Sequence, residues 1–136
     1  MINVPRTPAD RLERFRAWVE SLTDALESGD LDAAGRLFAI ECSWQPGPFA
    51  PALRGRAAIR AALEPRLAAM PDLETRAEIL GVGSTYAVVH WTLTWGARGT
   101  GEHADGVLLV ALDLMGRCSA VREWTLDEAA SAGPGG

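Results

Sequence analysis

Hydrophobic residues in the first part of the chain recur every three or four positions, the spacing of an amphipathic helix. The first series is Leu12, Phe15, Trp18, Val19, Leu22 and Leu26. Thr7 before this series is typical of a helix cap, and Gly29 after it is typical of a helix end. The pattern predicts a second helix after Asp30 and a third from about Arg56 to Met70.

Later segments have the length and alternation of β-strands. The predicted strands are Leu73–Gly81, Tyr86–Gly96, His103–Leu114 and Cys118–Leu126, with a shorter one at Ile40–Gln45. Gly83-Ser84 and Met115-Gly116 are typical of hairpin turns. Three helices followed by four long strands predict an α+β fold, in which the helices cover one face of a mainly antiparallel sheet.

The 136 residues are enough for one domain, and 48% are hydrophobic, so a substantial core is expected. We place the domain at residues 8–127. Residues 1–7 are predicted to form a short arm and residues 128–136, which end in a Gly-rich run, a disordered tail. A flexible loop is expected at residues 97–101.

The net charge of -5 argues against nucleic acid or an anionic membrane as the main partner. No apolar run reaches the roughly 18 residues of a membrane helix, and the N-terminus lacks the apolar region of a signal peptide. Cys42 and Cys118 stand in no metal-binding spacing, which favours two reduced, buried thiols. We therefore expect a cytoplasmic protein.

The strand that contains His90 alternates sharply between two kinds of side chain. Val89, Trp91, Leu93 and Trp95 share one face, whereas Val88, His90, Thr92 and Thr94 share the other. One interpretation places the polar set in solvent. The other lets His90, Thr92 and Thr94 line a pocket, with Trp91 and Trp95 on the outer face as a homodimer interface, because a broad tryptophan-rich face is unfavourable in water.

The last strand contains a second candidate, Glu123. One interpretation is a surface ion pair of Glu123 or Arg122 with a neighbouring strand. The other is a pocket carboxylate that exchanges protons near neutral pH, oriented by His90.

A metal site is not supported by the sequence. His103 and Asp105 supply only two ligands on one strand face, and Asp105-Gly106 is more typical of a bulge or a strand start. Nucleotide-binding and nucleophile-elbow motifs are not present in the sequence either, so no cofactor is expected.

Several aromatic residues could form the wall of a pocket for a hydrophobic ligand. The candidates are Trp18, Trp44, Phe49 and Trp124. Core packing is the alternative for each of them.

Four short motifs, taken in order, resemble the SnoaL-like branch of the nuclear transport factor 2-like superfamily. They are Ser28-Gly29-Asp30-Leu31-Asp32, Leu53-Arg54-Gly55-Arg56-Ala57-Ala58-Ile59, Ala104-Asp105-Gly106-Val107, and Gly116-Arg117-Cys118 leading to Val121-Arg122-Glu123-Trp124. The resemblance covers about residues 10 to 126. It implies a cone-shaped curved sheet wrapped on helices, a deep pocket and often a homodimer.

Three branches of this superfamily can be compared with the sequence. Positions similar to the proton-transfer residues of ketosteroid isomerases hold Leu22, Gln45 or Pro46, and about Leu108, none of which transfers protons. The acid-Arg-acid set of the limonene epoxide hydrolase-like branch matches only at Glu123, with Thr92 and Thr94 near the other positions. The polyketide cyclase branch needs mainly one pocket carboxylate, often with a His, which Glu123 and His90 could supply.

The resemblance implies an enzyme without a cofactor that performs acid/base chemistry on a hydrophobic, polyketide-like or epoxide ligand. In this hypothesis Glu123 and His90 are catalytic. The residues that contact the substrate are Trp18, Leu22, Trp44, Phe49, Thr92, Thr94 and Leu108. A non-catalytic binding protein and a partner-binding domain are the alternatives.

Overall fold

The computed structural model describes residues 7–96 and 101–128. The elements are α1 (Pro8–Ser28), α2 (Leu31–Arg36), β1 (Phe38–Gln45), β2 (Leu53–Arg54), α3 (Arg56–Ala68), β3 (Glu74–Val82), β4 (Tyr86–Trp95), β5 (Glu102–Leu112) and β6 (Cys118–Asp127). Most of the predicted arm, of the predicted tail and of the predicted loop at 97–101 lies outside the described residues. None of the described helices is long and apolar enough to cross a membrane.

Helix α1 begins and ends where the sequence predicts. The Thr7 hydroxyl accepts a hydrogen bond from the Asp10 backbone N–H at 3.0 Å, and the Asp10 carboxylate accepts one from the Thr7 N–H at 3.3 Å. This reciprocal capping box satisfies two donors that a helix start leaves unpaired. Gly29 ends the helix with φ 69°, a left-handed conformation that favours glycine.

The six strands form one sheet in the order β2-β1-β6-β5-β4-β3. β1 pairs with β6 in parallel, and every other neighbouring pair is antiparallel. This mixed architecture confirms the predicted α+β fold. The predicted bulge at Asp105-Gly106 is wrong, because both residues pair in unbroken register with β4 and β6.

The helices cover one face of the sheet, which we call the inner face, and leave the opposite or outer face open. On β4 the buried inner-face residues are Ala87, Val89, Trp91, Leu93 and Trp95. The prediction that Trp91 and Trp95 lie on an outer interface is therefore wrong. The face with the larger and more apolar side chains is buried under the helices, as the hydrophobic effect requires.

Helix α3 brings one charged residue to the covered side. Ile59, Leu63 and Met70 are buried, and Arg66 falls on the same stripe at helical spacing. α3 packs against β1, next to the C-terminal strand β6. This placement carries the Arg66 guanidinium to the inner face of β6.

Candidate active site

A cavity of about 440 Å³ opens between the end of α3 and the inner face of strands β4 to β6. Its lining residues are Pro46, Arg66, Ala69, Met70, Leu93, Trp95, Glu102, Ala104, Glu123, Thr125 and Asp127. The wall therefore combines six apolar residues with five polar or charged ones. That combination is typical of small-molecule sites.

Glu123 is the buried charged residue of this wall. Its side chain is 1% exposed. Arg66 grips the carboxylate with two hydrogen bonds, from Nη1 to Oε1 at 2.9 Å and from Nη2 to Oε2 at 2.6 Å. Trp44 Nε1 donates a third hydrogen bond to Oε1 at 2.9 Å. The carboxylate is thus fixed in position by three donors from two other elements, α3 and β1.

Burial disfavours the charged form of Arg66, but the contact with Glu123 favours it more strongly. Desolvation alone would lower the pKa of Arg66, whereas the hydrogen bonds and the negative charge of Glu123 raise it above its usual value. The guanidinium also lies 5.7 Å from the centre of the Trp91 ring, within range of a cation–π interaction. Arg66 therefore stays cationic at the edge of the cavity, where 32% of its side chain is exposed.

The other polar groups of the wall come from β5 and β6. Thr125 Oγ1 accepts a hydrogen bond from Trp91 Nε1 at 3.0 Å. Glu102 and Asp127 add two carboxylates to that of Glu123, against the single cation of Arg66. The described lining therefore has an excess of negative charge.

His90 is not part of this site, and its predicted pairing with Glu123 is wrong. His90 lies on the outer face, where Nε2 is 2.9 Å from the Asp105 carboxylate and Nδ1 is 3.1 Å from the Glu78 carboxylate. Hydrogen bonds to Asp105 and then to Glu78 raise the pKa of His90. His90 and Glu123 cannot meet, because their side chains project from opposite sides of one sheet.

Thr92 and Thr94 share the outer face with His90, so their predicted place in the pocket is also wrong. The Thr92 hydroxyl donates to Asp105 at 3.0 Å, and the Thr94 hydroxyl lies 3.4 Å from His103 Nδ1. The hydrogen bond from His90, followed by that from Thr92, holds the pKa of Asp105 below its usual value. This outer face follows the interpretation in which the polar residues of β4 are solvated.

The predicted aromatic and apolar wall residues separate into three groups. Phe49 is fully exposed, so its predicted role in shaping the cavity is wrong; the Pro-rich loop holds it away from the core. Trp18, Leu22 and Leu108 are buried in the core rather than in the cavity lining, and Trp18 Nε1 donates to the Leu37 carbonyl at 2.9 Å. Trp44 contacts the site through Glu123.

Neither a metal site nor a reactive thiol is found among the described residues. Across residues 7–96 and 101–128, no group of three or more His, Cys, Asp or Glu side chains is arranged to hold a metal ion. Cys42 and Cys118 are buried free thiols, and burial raises the pKa of both. Thiols in such surroundings are weak nucleophiles.

Four polar residues of this site were not selected by the sequence analysis: Arg66, Glu102, Thr125 and Asp127. Arg66 had a signal, because it interrupts an apolar series at helical spacing that begins with Ile59 and Leu63 on α3 and ends with Met70 just after the helix. A charged residue on a buried stripe requires a buried partner of opposite charge. Thr125 shows no comparable signal, because it follows the regular alternation of β6.

The model of one protein family, the SnoaL-like domain, matches residues 15–119 of the chain. No functionally curated protein is significantly similar to it in sequence.

Solved structures share the fold at low sequence identity. SalBIII, an epoxide hydrolase/cyclase-like enzyme in pyran ring formation in the polyether salinomycin, superposes with a TM-score of 0.73 at 18% identity, over 86% of this chain and 93% of SalBIII. RV0760c from Mycobacterium tuberculosis gives 0.70 at 16% identity, over 82% of this chain and 90% of that one. An NTF-2 like protein of unknown function from Burkholderia xenovorans LB400 gives 0.68 at 18% identity, over 86% of each chain. At these identities the likeness shows the fold alone.

Proposed function

This chain belongs to the SnoaL-like domain family, and on that premise we propose that it is an acid/base enzyme acting on a hydrophobic, oxygen-containing small molecule. The proposal depends on one observation: the carboxylate of Glu123, 1% exposed, is fixed by Arg66 and Trp44 in the wall of a cavity of about 440 Å³. Fold likeness to an epoxide hydrolase/cyclase-like enzyme adds an epoxide or polyketide-like ligand to the candidates.

In this proposal Glu123 is the general base and Arg66 the electrostatic partner. Glu123 accepts a proton from a water molecule or from a hydroxyl group of the ligand. The oxygen of that water or hydroxyl group at the same time attacks a ring carbon of an epoxide. The C–O bond of that carbon breaks, and the epoxide oxygen, which gains negative charge, is stabilised by Arg66. This oxygen then takes up a proton from water, and Glu123 releases to water the proton that it accepted. Attack by water is hydrolysis, and attack by an internal hydroxyl group is cyclisation. Isomerisation by proton transfer uses the same carboxylate.

The test compares turnover and binding in Glu123→Gln. A panel of hydrophobic epoxides, with and without an internal hydroxyl group, is incubated with each variant, and diols and cyclic ethers are quantified by mass spectrometry. We expect Glu123→Gln to lose at least about a hundredfold in turnover. Glu64→Gln, at an exposed carboxylate on α3 outside the cavity lining, is the matched control and should retain activity.

A non-catalytic binding protein is the second candidate, and the saturation of Glu123 favours it. Both carboxylate oxygens already accept hydrogen bonds from Arg66 or Trp44. If wild type binds members of the panel without converting any, and Glu123→Gln binds them equally well, the protein is a carrier and the acid/base proposal is wrong.

We also propose a homodimer through the outer face, at a different position from the one the sequence indicated. Trp124 and Leu126 of β6 are exposed there, beside Val107 and Leu109 of β5. A second copy of the chain would remove these side chains from water. Sedimentation equilibrium should show Leu126→Glu as a monomer, whereas Ile40→Glu, at an exposed site on β1, should leave the dimer intact. A monomeric wild type would contradict the dimer.

The remaining parts of the proposal are a cytoplasmic location and a reaction that needs no cofactor. The two unbridged thiols, Cys42 and Cys118, support a reducing compartment. Turnover by purified protein in the presence of a chelator, with no added cofactor, would test the second part.

A further inference from the structure

Three residues form a continuous row across the inner face of the sheet. Trp91 on β4 pairs with Gly106 on β5, which pairs with Thr125 on β6. The indole of Trp91 reaches across the middle strand, because its Nε1 lies 3.0 Å from Thr125 Oγ1. The row therefore joins a buried core residue to a residue of the cavity wall.

Gly106 makes this reach possible. A Cβ at position 106 would lie 2.6 Å from the Thr125 Cα and would collide with the Thr125 hydroxyl oxygen and the Trp124 carbonyl. Real Cβ atoms do not approach other atoms so closely, so any larger residue would displace Thr125. The glycine is required for close packing here, in a regular strand rather than in a turn.

The hydrogen bond from Trp91 determines whether the Thr125 hydroxyl is a donor or an acceptor in that contact. An indole N–H is a donor only, so Thr125 Oγ1 is the acceptor and its own proton is available for another partner. The described residues supply no acceptor for that proton, and Thr125 lines the cavity. The hydroxyl can therefore donate into the cavity.

Arg66 has spare donors on the same cavity. A guanidinium has five N–H groups, and the contacts of Arg66 with described residues use two of them, one from each Nη, on Glu123. The wall thus presents hydrogen-bond donors from Thr125 and Arg66, whereas its three carboxylates, those of Glu102, Glu123 and Asp127, disfavour an anionic ligand.

We propose that Thr125 is a specificity-determining residue, which selects uncharged hydrophobic ligands with a carbonyl or ether oxygen by donating a hydrogen bond to that oxygen. Arg66 supplies further donors to the ligand, and Trp91 is a positioning residue that directs the Thr125 hydroxyl. This inference rests on the proposed function, because it assumes that the cavity is the ligand site.

The test uses two probes of nearly equal shape, 4-phenylcyclohexanone and phenylcyclohexane, which differ in one carbonyl oxygen. Binding is followed by titration of the indole N–H signals of 15N-labelled protein, which contains five tryptophans. Trp91→Phe assigns one signal by its loss. We expect wild type to bind the ketone more tightly than the hydrocarbon.

Thr125→Val keeps the shape of the side chain and removes the hydroxyl group. It should weaken ketone binding about fivefold to tenfold and leave the hydrocarbon unchanged, because one neutral hydrogen bond is lost. Thr125→Ser retains the hydroxyl and should keep the preference for the ketone. Trp91→Phe should reduce that preference only in part, since the hydroxyl remains but is no longer directed. If Thr125→Val does not fold, Thr125→Ala removes the same hydroxyl without adding a methyl group.

The outcomes separate this inference from the function on which it rests. If wild type binds neither probe, the proposed function and this inference are both overturned. If wild type binds both probes and the loss of the hydroxyl weakens both equally, Thr125 is only a structural partner of Trp91. The cavity would then remain a ligand site, and the inference alone would be overturned.

Discussion

Each face of the sheet pairs a basic side chain with carboxylates, one on the inner face and two on the outer face, but in opposite surroundings. On the inner face Arg66 holds Glu123, whose side chain is 1% exposed; on the outer face His90 lies between Asp105 and Glu78, whose side chains are more than half exposed. Water screens the outer cluster, so its attraction contributes little. The Glu123 carboxylate is shielded from water, so its charge depends on the contact with Arg66. Similar pairs of charged groups should therefore contribute more to stability on the inner face than on the outer face.

The comparison is tested most strongly by removing the inner cation. Arg66→Met leaves the Glu123 carboxylate buried with only Trp44 as a donor, and we expect a loss of about 3 kcal/mol in the free energy of unfolding. Urea denaturation measures it. Arg60→Met on the same helix removes an exposed partner of Asp32 and should cost at most about 1 kcal/mol. Equal losses in the two variants would show that burial does not distinguish these pairs.

Gly106→Ala tests whether an added methyl group destabilises the protein because of the row Trp91, Gly106 and Thr125, rather than because a strand glycine has been replaced. The added methyl group must displace Thr125, and overpacking of this kind costs about 2 kcal/mol in unfolding free energy. Gly81→Ala on β3, where nothing lies within 4 Å of the new Cβ, is the control and should be near neutral. The outer-face neighbour Asp105 should keep its contact with His90, which the NMR shifts of the His90 ring report. A stable Gly106→Ala protein would argue against the close approach.

Replacing both inner partners should be far milder than replacing one. Arg66→Met combined with Glu123→Met leaves no unpaired charge, and we expect an unfolding free energy within about 1 kcal/mol of wild type. The measurement is the same urea titration, read as a double-mutant cycle. A double variant no more stable than Arg66→Met would mean that the packing of the Arg66 stem, not the charge of Glu123, explains the first loss.

The outer cluster should show the smallest effect, visible as pH dependence. Contacts with Asp105 and Glu78 raise the folded pKa of His90 above its unfolded value of 6.5. Their stabilisation is therefore fully present below pH 6.5 and is lost as the pH rises through the folded pKa. His90→Gln should remove this decline, so the difference in melting temperature between wild type and variant shrinks from pH 6 to pH 8.5. Parallel pH curves would show that the cluster does not affect stability.

Local patterns predicted the helices, the five longer strands and the alternation of β4, but not the two-residue β2, because the former depend on neighbouring residues. The caps at Thr7 and Gly29 and the two faces of the His90 strand are of this kind. Which face the helices cover is a tertiary question, and both assignments satisfied the alternation. The placement of His90, Thr92 and Thr94 failed on this single choice.

Glu123 was selected as a candidate because a carboxylate in an apolar pocket can exchange protons near neutral pH, but its partner was not found. Arg66 lies 57 residues away and meets Glu123 only through the packing of α3 beside β6. Thr125 depends on a glycine in a third strand, a relation that no local pattern contains. The site is thus a property of the packing between elements, whereas the elements themselves are properties of the sequence around them.

The parallel pairing of β1 with β6 determines when the molecule can be completed during synthesis. β1 has only the two-residue β2 as its other neighbour, so most of its edge is unpaired until the last strand is made. The hydrogen bond between Trp44 and Glu123 joins residues 79 positions apart in the chain, and contacts at such long sequence separation form slowly. Until β6 emerges from the ribosome, a nascent chain would therefore expose an unpaired strand edge and Arg66, which has no carboxylate partner before Glu123 is made.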